Sequence, residues 1–358
     1  MRNLIVLVLC ISATSMVAAQ HPAPLVTQAS VGKWAIVLHG GAGVIERSSM
    51  TPERDAAYRA SLDRAIHAAA NILDSNGSAV DAVEAGLKVL EDDPLFNAGK
   101  GAVFTADGKN DLDAAIMDGK TLKAGSVAGV TRTKNPISLA KAVMQQSQFV
   151  MLSGAGADQF AASVRLQQVD PSYFFTEDRW QALVRHLKQQ GLPIPPRPAG
   201  APPPPLKPIA QLETPDTHKW GTTGLVVRDR AGNIAAGTTT GGLTGKRFGR
   251  IGDSPIIGAG TYASNESCAV SATGTGEYFI RLTVARTICA LVQYKKMRLQ
   301  DAVNDVIDRQ LTVLKGDGGV IALTPDGQLA WGFNTPGMFR ARLVEGGQVQ
   351  MGIYKDEP

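Results

Sequence analysis

Residues 221–242, GTTGLVVRDRAGNIAAGTTTGG, contain the pattern from which the fold class is predicted. Two runs of apolar and β-branched residues, 224–227 and 234–240, lie on either side of the turn-forming segment DRAGN at 229–233. Runs of this kind, separated by a short segment that contains glycine, are typical of a β-hairpin. The stretch therefore predicts two antiparallel strands in the C-terminal half of the chain.

Helices are predicted on both sides of this hairpin. Thr51 followed by Pro52 starts a helix that extends to Gly77, since proline at the first helical position gives up no hydrogen bond. The other predicted elements are a strand at 34–38 that ends at HGGAG (39–43), helices from Ser78 to Pro94, after Asn135-Pro136, and at 178–190, 277–294 and 299–314, and a hairpin of 320–323 with 328–333. Helices combined with antiparallel hairpins predict a layered α/β (α+β) architecture in which helices cover the sheets.

A proline-rich segment separates the two halves of the chain. Residues 194–208 include four consecutive prolines at 202–205. Because proline fixes φ and lacks a backbone donor, this stretch is predicted to be neither helix nor central strand. We interpret about 192–215 as an extended, solvated linker. A proline-rich recognition segment is the functional alternative.

Composition and the N-terminus bound the class of protein. The chain has 358 residues with 44% hydrophobic residues, 19% charged residues and a net charge of +4. That composition is typical of a globular protein, and without a basic cluster it does not favour nucleic-acid binding. Arg2, an apolar run at 4–11 and small residues up to Ala19 predict a signal peptide (1–19) and export, periplasmic or secreted. A buried N-terminal strand is the alternative, and no later stretch resembles a membrane helix.

Two cysteines remain after the predicted signal peptide, Cys268 and Cys289. A disulfide between them can form in an oxidising compartment. We interpret them instead as two buried small apolar residues. Neither lies in a CxxC motif, so no zinc or redox role is expected.

Threonine beside glycine recurs in the C-terminal half. The runs are GTTG at 221–224, TTTGG at 238–242 and TGTG at 273–276, and GRIGDSP at 249–255 lies between the last two. Each run alone is explained by turns in a β-rich region, without any catalytic function. The chain contains no GxSxG, GxxxxGK[ST] or HExxH motif, so no serine elbow, nucleotide or zinc chemistry is indicated.

The first run suggests a mechanism. A threonine hydroxyl needs a base, and a free α-amino group can provide one if the chain is cut directly before the threonine. Such an amine titrates at about 7.7–8.0, so it accepts a proton near neutral pH. Gly221 before Thr222 is the predicted cut site, because glycine permits the backbone geometry that an N→O shift requires.

The sequence resembles the plant-type (type III) L-asparaginases, also called isoaspartyl or β-aspartyl peptidases. The resemblance covers nearly the whole chain after the signal peptide. The motifs that carry it are HGGAG at 39–43, LFNAG at 95–99, LDA at 112–114, GT at 221–222, TGG at 240–242, GRIGDSP at 249–255, GAG at 258–260, TGTGE at 273–277, and FNT at 333–335 with GM at 337–338. The resemblance implies an N-terminal-nucleophile hydrolase with a four-layer αββα sandwich, cleaved into an α subunit (20–221) and a β subunit (222–358) that assemble as (αβ)2.

The resemblance also implies roles for single residues. Thr222 is the expected nucleophile, Thr240 the residue that assists it, and Thr273 with the Gly274 N–H the oxyanion hole. Arg250 is expected to bind the substrate α-carboxylate and Asp253 the α-amine, since guanidinium and carboxylate suit those charges. The remaining expectations are Gly276 in substrate binding, Asn97 and Thr244 as supports of Thr222, His39 in a loop near the site, and a structural sodium ion on carbonyls of Leu90, Glu91, Asp93, Phe96, Ala98 and Lys100.

The sequence departs from the family pattern at a few places. Trp220 replaces the usual His before the cut, Thr223 replaces Val, Lys100 is unusual in the sodium loop, and the linker is long. The first two are expected to slow cleavage, and none removes a reacting group. We expect hydrolysis of isoaspartyl dipeptides and L-asparagine without a catalytic cofactor. The alternatives are a glycosylasparaginase, or a secreted solute-binding relative that stays uncut.

Overall fold

The computed structural model describes residues 33–204 and 221–357. The predicted signal peptide, the linker from residue 205 onward and Trp220 lie outside the described residues. The strands are β1 Ala35–Gly43, β2 Leu112–Asp118, β3 Ala124–Val130, β4 Met151–Ser153, β5 Thr223–Arg228, β6 Ile234–Thr240, β7 Thr261–Ala263, β8 Ala269–Gly274, β9 Gly318–Leu323, β10 Leu329–Phe333, β11 Gly337–Val344 and β12 Gln350–Tyr354. The helices are α1 Pro52–Asp74, α2 Ala79–Asp92, α3 Pro136–Gln146, α4 Gly154–Ser163, α5 Glu177–Gln189, α6 Gly276–Leu282, α7 Val284–Lys295 and α8 Leu299–Asn304.

The strands form two sheets. The larger has eight strands in the order β12-β11-β1-β5-β6-β2-β3-β4, and the smaller has four in the order β10-β9-β8-β7. Both predicted hairpins are present, as the antiparallel pairs β5–β6 and β9–β10. The first hairpin lies in the middle of the large sheet, between β1 and β2.

Helices cover the outer face of each sheet, as three buried clusters show. One cluster joins α1, α2 and α3 to the large sheet, with Leu62, Leu87 and Ile137 fully buried. A second joins α7 and α8 to the small sheet. The third lies between the sheets and includes Val226 of β5 and Ile321 of β9. The layers are therefore α, β, β and α, and the predicted αββα class is confirmed.

The predicted helix starts are also confirmed. Thr51 caps α1, since its hydroxyl accepts the Arg54 N–H at 3.3 Å, and Pro52 occupies the first turn. Ser78 caps α2 by accepting the Asp81 N–H at 3.1 Å. Each side chain satisfies a backbone donor that the first helical turn leaves without a partner. No helix among the described residues is long and apolar enough to cross a membrane.

Three local predictions were wrong, and one predicted helix is present but contains a π-helical segment. HGGAG (39–43) is not a loop but the second half of β1, where a register shift between His39 and Gly41 accommodates the glycines. The helix predicted at 277–294 is broken at Thr283, which has a φ of +45° and separates α6 from α7. The helix predicted from Leu299 continues after α8 as a π-helical segment, Asp305–Leu311. Cys268 and Cys289 are buried, as expected, but they form a disulfide that joins the start of β8 to α7.

Candidate active site

The hydroxyls of Thr222 and Thr240 meet at the end of the central hairpin. Thr222 directly precedes β5 and Thr240 ends β6, one residue beyond the Thr223–Thr239 pair of that ladder. The Thr222 hydroxyl donates to Thr240 Oγ1 at 3.2 Å, and both side chains are buried. Thr240 Oγ1 also accepts the Gly242 N–H at 3.0 Å. The Gly242 N–H thus holds Thr240 Oγ1 where it accepts the proton of the Thr222 hydroxyl in a hydrogen bond.

The bond between Gly221 and Thr222 is closely enclosed. A Cβ on Gly41, which has a φ of +113°, would lie 2.7 Å from Gly221 Cα, so only glycine fits beside the bond. On the other side, a Cβ on Gly221 would lie 3.2 Å from Asn97 Cβ. The Asn97 amide donates to the Gly242 carbonyl at 2.8 Å and accepts the Val103 N–H at 3.0 Å. Asn97 therefore joins the backbone of Gly242 to that of Val103 next to Gly221.

Thr273 and Gly274 end β8 in the facing sheet. Thr273 Oγ1 is fully buried and accepts the Ala42 N–H at 3.1 Å, so its own proton remains to be donated. Gly274 has a φ of +154°, and a Cβ there would lie 2.4 Å from the Asp317 carbonyl oxygen. A glycine is required at this position, directly after Thr273. Two adjacent donors of this kind suit a developing oxyanion.

Arg250 forms a two-pronged ion pair with Glu277, which sequence reasoning missed. The guanidinium Nε and Nη2 lie 2.9 and 3.0 Å from the two carboxylate oxygens, so that the pKa of Glu277 is lowered, chiefly by this hydrogen bond. Two glycines lie against the other nitrogen: a Cβ on Gly252 or Gly242 would approach Nη1 to 2.8 or 3.5 Å. Glu277 therefore orients one edge of the guanidinium and leaves Nη1 for a further anion. The motif TGTGE contained the signal, but its glutamate was not singled out.

Asp253 is buried near Arg250 without a salt bridge to it. A Cβ on Gly276 would lie 2.9 Å from both Arg250 Nη2 and Asp253 Oδ1, so the predicted substrate residues do converge. Asp253 Oδ2 has no hydrogen-bond partner. Burial raises the pKa of this carboxyl to about 7, although its own backbone hydrogen bond and the attraction of Arg250 partly offset the shift. A buried acceptor without a partner suits a cationic ligand group.

A cavity of about 420 Å³ opens on the far side of Arg250. Lys246, buried at its inner end, donates to the Asp111 carbonyl at 2.8 Å and lies 3.9 Å from the Asp113 carboxylate. The lining residues are Thr105, Ala106, Asp107, Lys109, Asp111, Lys246, Arg247, Phe248, Gly249 and Arg250. Arg250, for which a substrate-binding role is predicted, therefore lines this cavity.

The loop predicted to hold sodium follows α2. A Cβ on Gly99 would lie 2.2 Å from the Glu91 carbonyl oxygen, and one on Gly101 would lie 2.0 Å from that of Phe96, so these carbonyls converge on one turn. The Asp93 carboxylate faces away, bonded to Ser61 and Arg64, and the Lys100 ammonium lies over the Tyr173 ring. Carbonyl oxygens are ligands that hard cations prefer, so the loop fits such an ion through its backbone.

Two further predicted residues have different surroundings. Thr244 is half-buried in the turn after β6, and no hydrogen bond joins its hydroxyl to Thr222, so the predicted support is not seen. His39 is not in a loop but fully buried in β1, where Nε2 lies 3.0 Å from Ser271 Oγ. Burial lowers the pKa of His39 to about 3, although the backbone of Thr222 partly offsets the shift.

Comparisons with known proteins agree with this arrangement. A family profile described as asparaginase matches residues 32–353. An isoaspartyl peptidase of Salmonella typhimurium is 43% identical over 91% of this chain and all of its own length. A plant-type L-asparaginase of Pyrococcus abyssi is 40% identical over 87% of this chain and 97% of its own length. An isoaspartyl peptidase/L-asparaginase of Rattus norvegicus is 37% identical over 89% of this chain and 88% of its own length.

Proposed function

The chain belongs to the asparaginase family, and on this premise we propose that it hydrolyses isoaspartyl (β-aspartyl) dipeptides and L-asparagine, releasing aspartate, after cutting itself before Thr222. The observation that carries the proposal is the hydrogen bond from the Thr222 hydroxyl to Thr240, next to a glycine at the proposed cut. Relatives named isoaspartyl peptidase and plant-type L-asparaginase support the choice of substrates.

Self-cleavage begins with attack of Thr222 Oγ1 on the Gly221 carbonyl carbon. The acyl group moves from nitrogen to oxygen, which breaks the C–N bond and frees the Thr222 α-amine. Water then hydrolyses the ester, which releases the Gly221 carboxylate and restores the Thr222 hydroxyl. That amine then takes the hydroxyl proton when Oγ1 attacks a substrate β-carbonyl. The C–N bond breaks, and the leaving ammonia or peptide amine takes up the proton. Water hydrolyses the aspartyl ester and restores Thr222.

The substrate's charges fit the residues around this threonine. Its α-carboxylate binds the free Nη1 edge of Arg250, and its α-ammonium takes the unpartnered Oδ2 of Asp253. Thr273 and the Gly274 N–H stabilise the oxyanion. Asparagine and an isoaspartyl dipeptide present the same α-groups and the same β-carbonyl, so one pocket serves both.

Intact-mass analysis of the purified protein tests the proposal. We expect two fragments that meet between Gly221 and Thr222, and hydrolysis of an isoaspartyl dipeptide and of asparagine. Thr222→Ala should give one uncut, inactive chain. Thr223→Val is the matched control: it removes a neighbouring hydroxyl that donates to the Thr239 carbonyl at 3.4 Å, and, since valine is the usual residue of the family here, it should cut at least as fast as the wild type. A wild-type chain that stays uncut and binds aspartate without hydrolysis would contradict the proposal.

We also propose that the protein is exported after removal of residues 1–19. The Cys268–Cys289 disulfide supports this, because disulfides persist mainly in oxidising compartments. N-terminal sequencing of the protein recovered outside the cytoplasm should begin at Gln20. Recovery of the whole chain in the cytoplasm with both thiols free would contradict export.

A structural sodium ion is proposed at the loop after α2. The converging carbonyls of Glu91 and Phe96 support it, and the ion would fix the loop that leads to Asn97. Replacing sodium by choline in the buffer should lower the melting temperature, and adding sodium back at constant ionic strength should restore it. An unchanged melting temperature would contradict the site.

The family resemblance further supports pairing of two αβ units as (αβ)2. Light scattering of the cleaved protein should give twice the mass of one unit. The mass of a single unit would contradict this assembly.

A further inference from the structure

A chain of buried hydrogen bonds runs between the two sheets. His39 Nε2 lies 3.0 Å from Ser271 Oγ, which lies 2.7 Å from Thr238 Oγ1. The Thr261 hydroxyl donates to Thr238 Oγ1 at 2.6 Å and approaches the Ser254 carbonyl at 3.1 Å. All four side chains are fully buried, on β1, β8, β6 and β7. The chain therefore crosses from the large sheet to the small one without access to solvent.

Two members of this hydrogen-bonded row lie on the same strands as the threonines proposed to react. Ser271 lies two residues before Thr273 on β8, and Thr238 lies two residues before Thr240 on β6. Because side chains alternate along a strand, residues two apart lie on the same face, one pleat away. The hydroxyl chain is thus the next layer beneath the oxyanion threonine and the assisting threonine.

The strand that follows Thr222, β5, packs closely against the His39–Ser271 contact. Gly224, two residues after Thr222, pairs with His39 on one side and with Thr238 on the other. A Cβ on Gly224 would lie 1.9 Å from Ser271 Oγ and 2.4 Å from His39 Nε2. The His39–Ser271 contact is therefore seated directly on the β5 backbone. The position of this contact therefore sets the distance between Thr222 and the facing sheet.

The imidazole stays neutral in this setting. Burial lowers the pKa of His39 to about 3, so a charged ring plays no part at ordinary pH. Nε2 is engaged by Ser271, and the ring also approaches the backbone of Thr222. His39 acts as a hydrogen-bonding spacer between sheets and not as a proton carrier.

We propose that the chain His39–Ser271–Thr238–Thr261 is a positioning device that sets the distances among Thr222, Thr240 and Thr273. The inference rests on the proposed function, in which those three threonines react. Ser271, Thr238 and Thr261 act through the strands that carry them, and His39 also approaches the backbone of Thr222. Reaction rates depend steeply on such distances, since a misplacement of about 1 Å can cost about 100-fold.

Thr238→Val tests the device, because valine keeps the shape and removes the hydroxyl at the centre of the chain. Thr238→Ser keeps the hydroxyl and serves as the conservative rescue. Thr133→Val is the matched control, since its buried hydroxyl bonds Asp158 at 2.8 Å, between β3 and α3. Each variant is assayed for kcat and KM per cleaved molecule, for the self-cleavage rate and for the melting temperature.

In Thr238→Val we expect kcat to fall about ten-fold or more. KM should change by less than about two-fold, because the Arg250 and Asp253 side chains are not members of the hydrogen-bonded row His39–Ser271–Thr238–Thr261. Thr238→Ser should recover most of kcat, and Thr133→Val should lower only the melting temperature. A kcat in Thr238→Val equal to that of Thr133→Val would overturn the proposal.

Failure of the proposed function has a different signature, because the wild type itself would then be inactive. The device is judged in that event by amide hydrogen exchange at 222–224, 238–240 and 271–273. Exchange there should quicken in Thr238→Val and not in Thr133→Val, and equal exchange in the two variants would again overturn the proposal.

Discussion

At the scale of single residues, hydrogen bonds from backbone N–H groups determine which threonine hydroxyls keep a proton to donate. Thr273 Oγ1 accepts the Ala42 N–H, which leaves its proton free for an oxyanion. We predict that Thr273→Val lowers kcat by about 10²–10³-fold, the usual loss for one oxyanion donor. Steady-state kinetics on an isoaspartyl dipeptide measure this. Thr275→Val is the control, since that hydroxyl bonds Asp317, and a Thr273→Val enzyme with the kcat of this control would refute the role.

Asp253 gives a prediction of pH dependence. Burial raises its pKa to about 7, and only the ionised carboxylate pairs with an α-ammonium. The ionised fraction falls as the pH drops below this pKa, so the affinity for L-aspartate should weaken by about ten-fold per pH unit below about pH 7 and level off above it. Calorimetric titration of the cleaved enzyme measures the Kd. Asp253→Asn should bind weakly with no such slope, and a wild-type affinity that is flat from pH 5 to about pH 8 would be inconsistent with the pKa.

Candidate site residues could be named from the sequence where the residue type alone suits the chemistry. Thr222, Arg250 and Asp253 fall in this class, because nucleophile, carboxylate binder and ammonium binder need particular groups. Glu277 and Ser271 were not predictable, since their partners lie on other elements and are brought near only by the packing of two sheets. Thr244 shows the reverse case, in which a hydroxyl close in sequence has no contact with Thr222.

At the scale of elements, the disulfide ties the strand of the oxyanion hole to the helix that covers it. Cys268 precedes β8 and Cys289 lies in α7, with a sequence separation of 21 residues. A loop of this size is worth about 3 kcal/mol through the entropy of the unfolded chain. We predict that Cys268→Ser with Cys289→Ser lowers the free energy of unfolding by about this amount.

Urea unfolding with and without reductant measures the contribution of the disulfide. Reductant should shift the midpoint of the wild type and leave that of the double variant unchanged. Equal midpoints for oxidised wild type and double variant would show that the disulfide adds nothing.

Elements were predicted best where the signal is local. The caps of α1 and α2 and the turn at 229–233 are encoded by neighbouring residues, so their positions were correct. The break at Thr283 has no Gly or Pro to mark it, and its positive φ follows from how α6 and α7 pack on the small sheet. The pairing of two cysteines 21 residues apart is likewise a consequence of the fold.

At the scale of the whole molecule, the hairpins and helices predicted the layers but not the order of the strands. That order follows from contacts between residues far apart in sequence, such as Ala35 with Val344, which no local pattern encodes. It interleaves the two predicted subunits. β1 to β4 precede the proposed cut, whereas β5, β6, β11 and β12 follow it, and both groups contribute to one sheet.

This interleaving predicts that the fragments do not separate after cleavage. In the large sheet, the junctions β11–β1, β1–β5 and β6–β2 each join a strand of one fragment to a strand of the other. Separation would expose these ladders and the core between the sheets, which costs far more than the broken peptide bond releases. We expect the cleaved protein to elute from gel filtration as one species containing both fragments and to unfold in a single transition. Fragments that separate without denaturant would mean that the two halves fold independently, which this strand order does not allow.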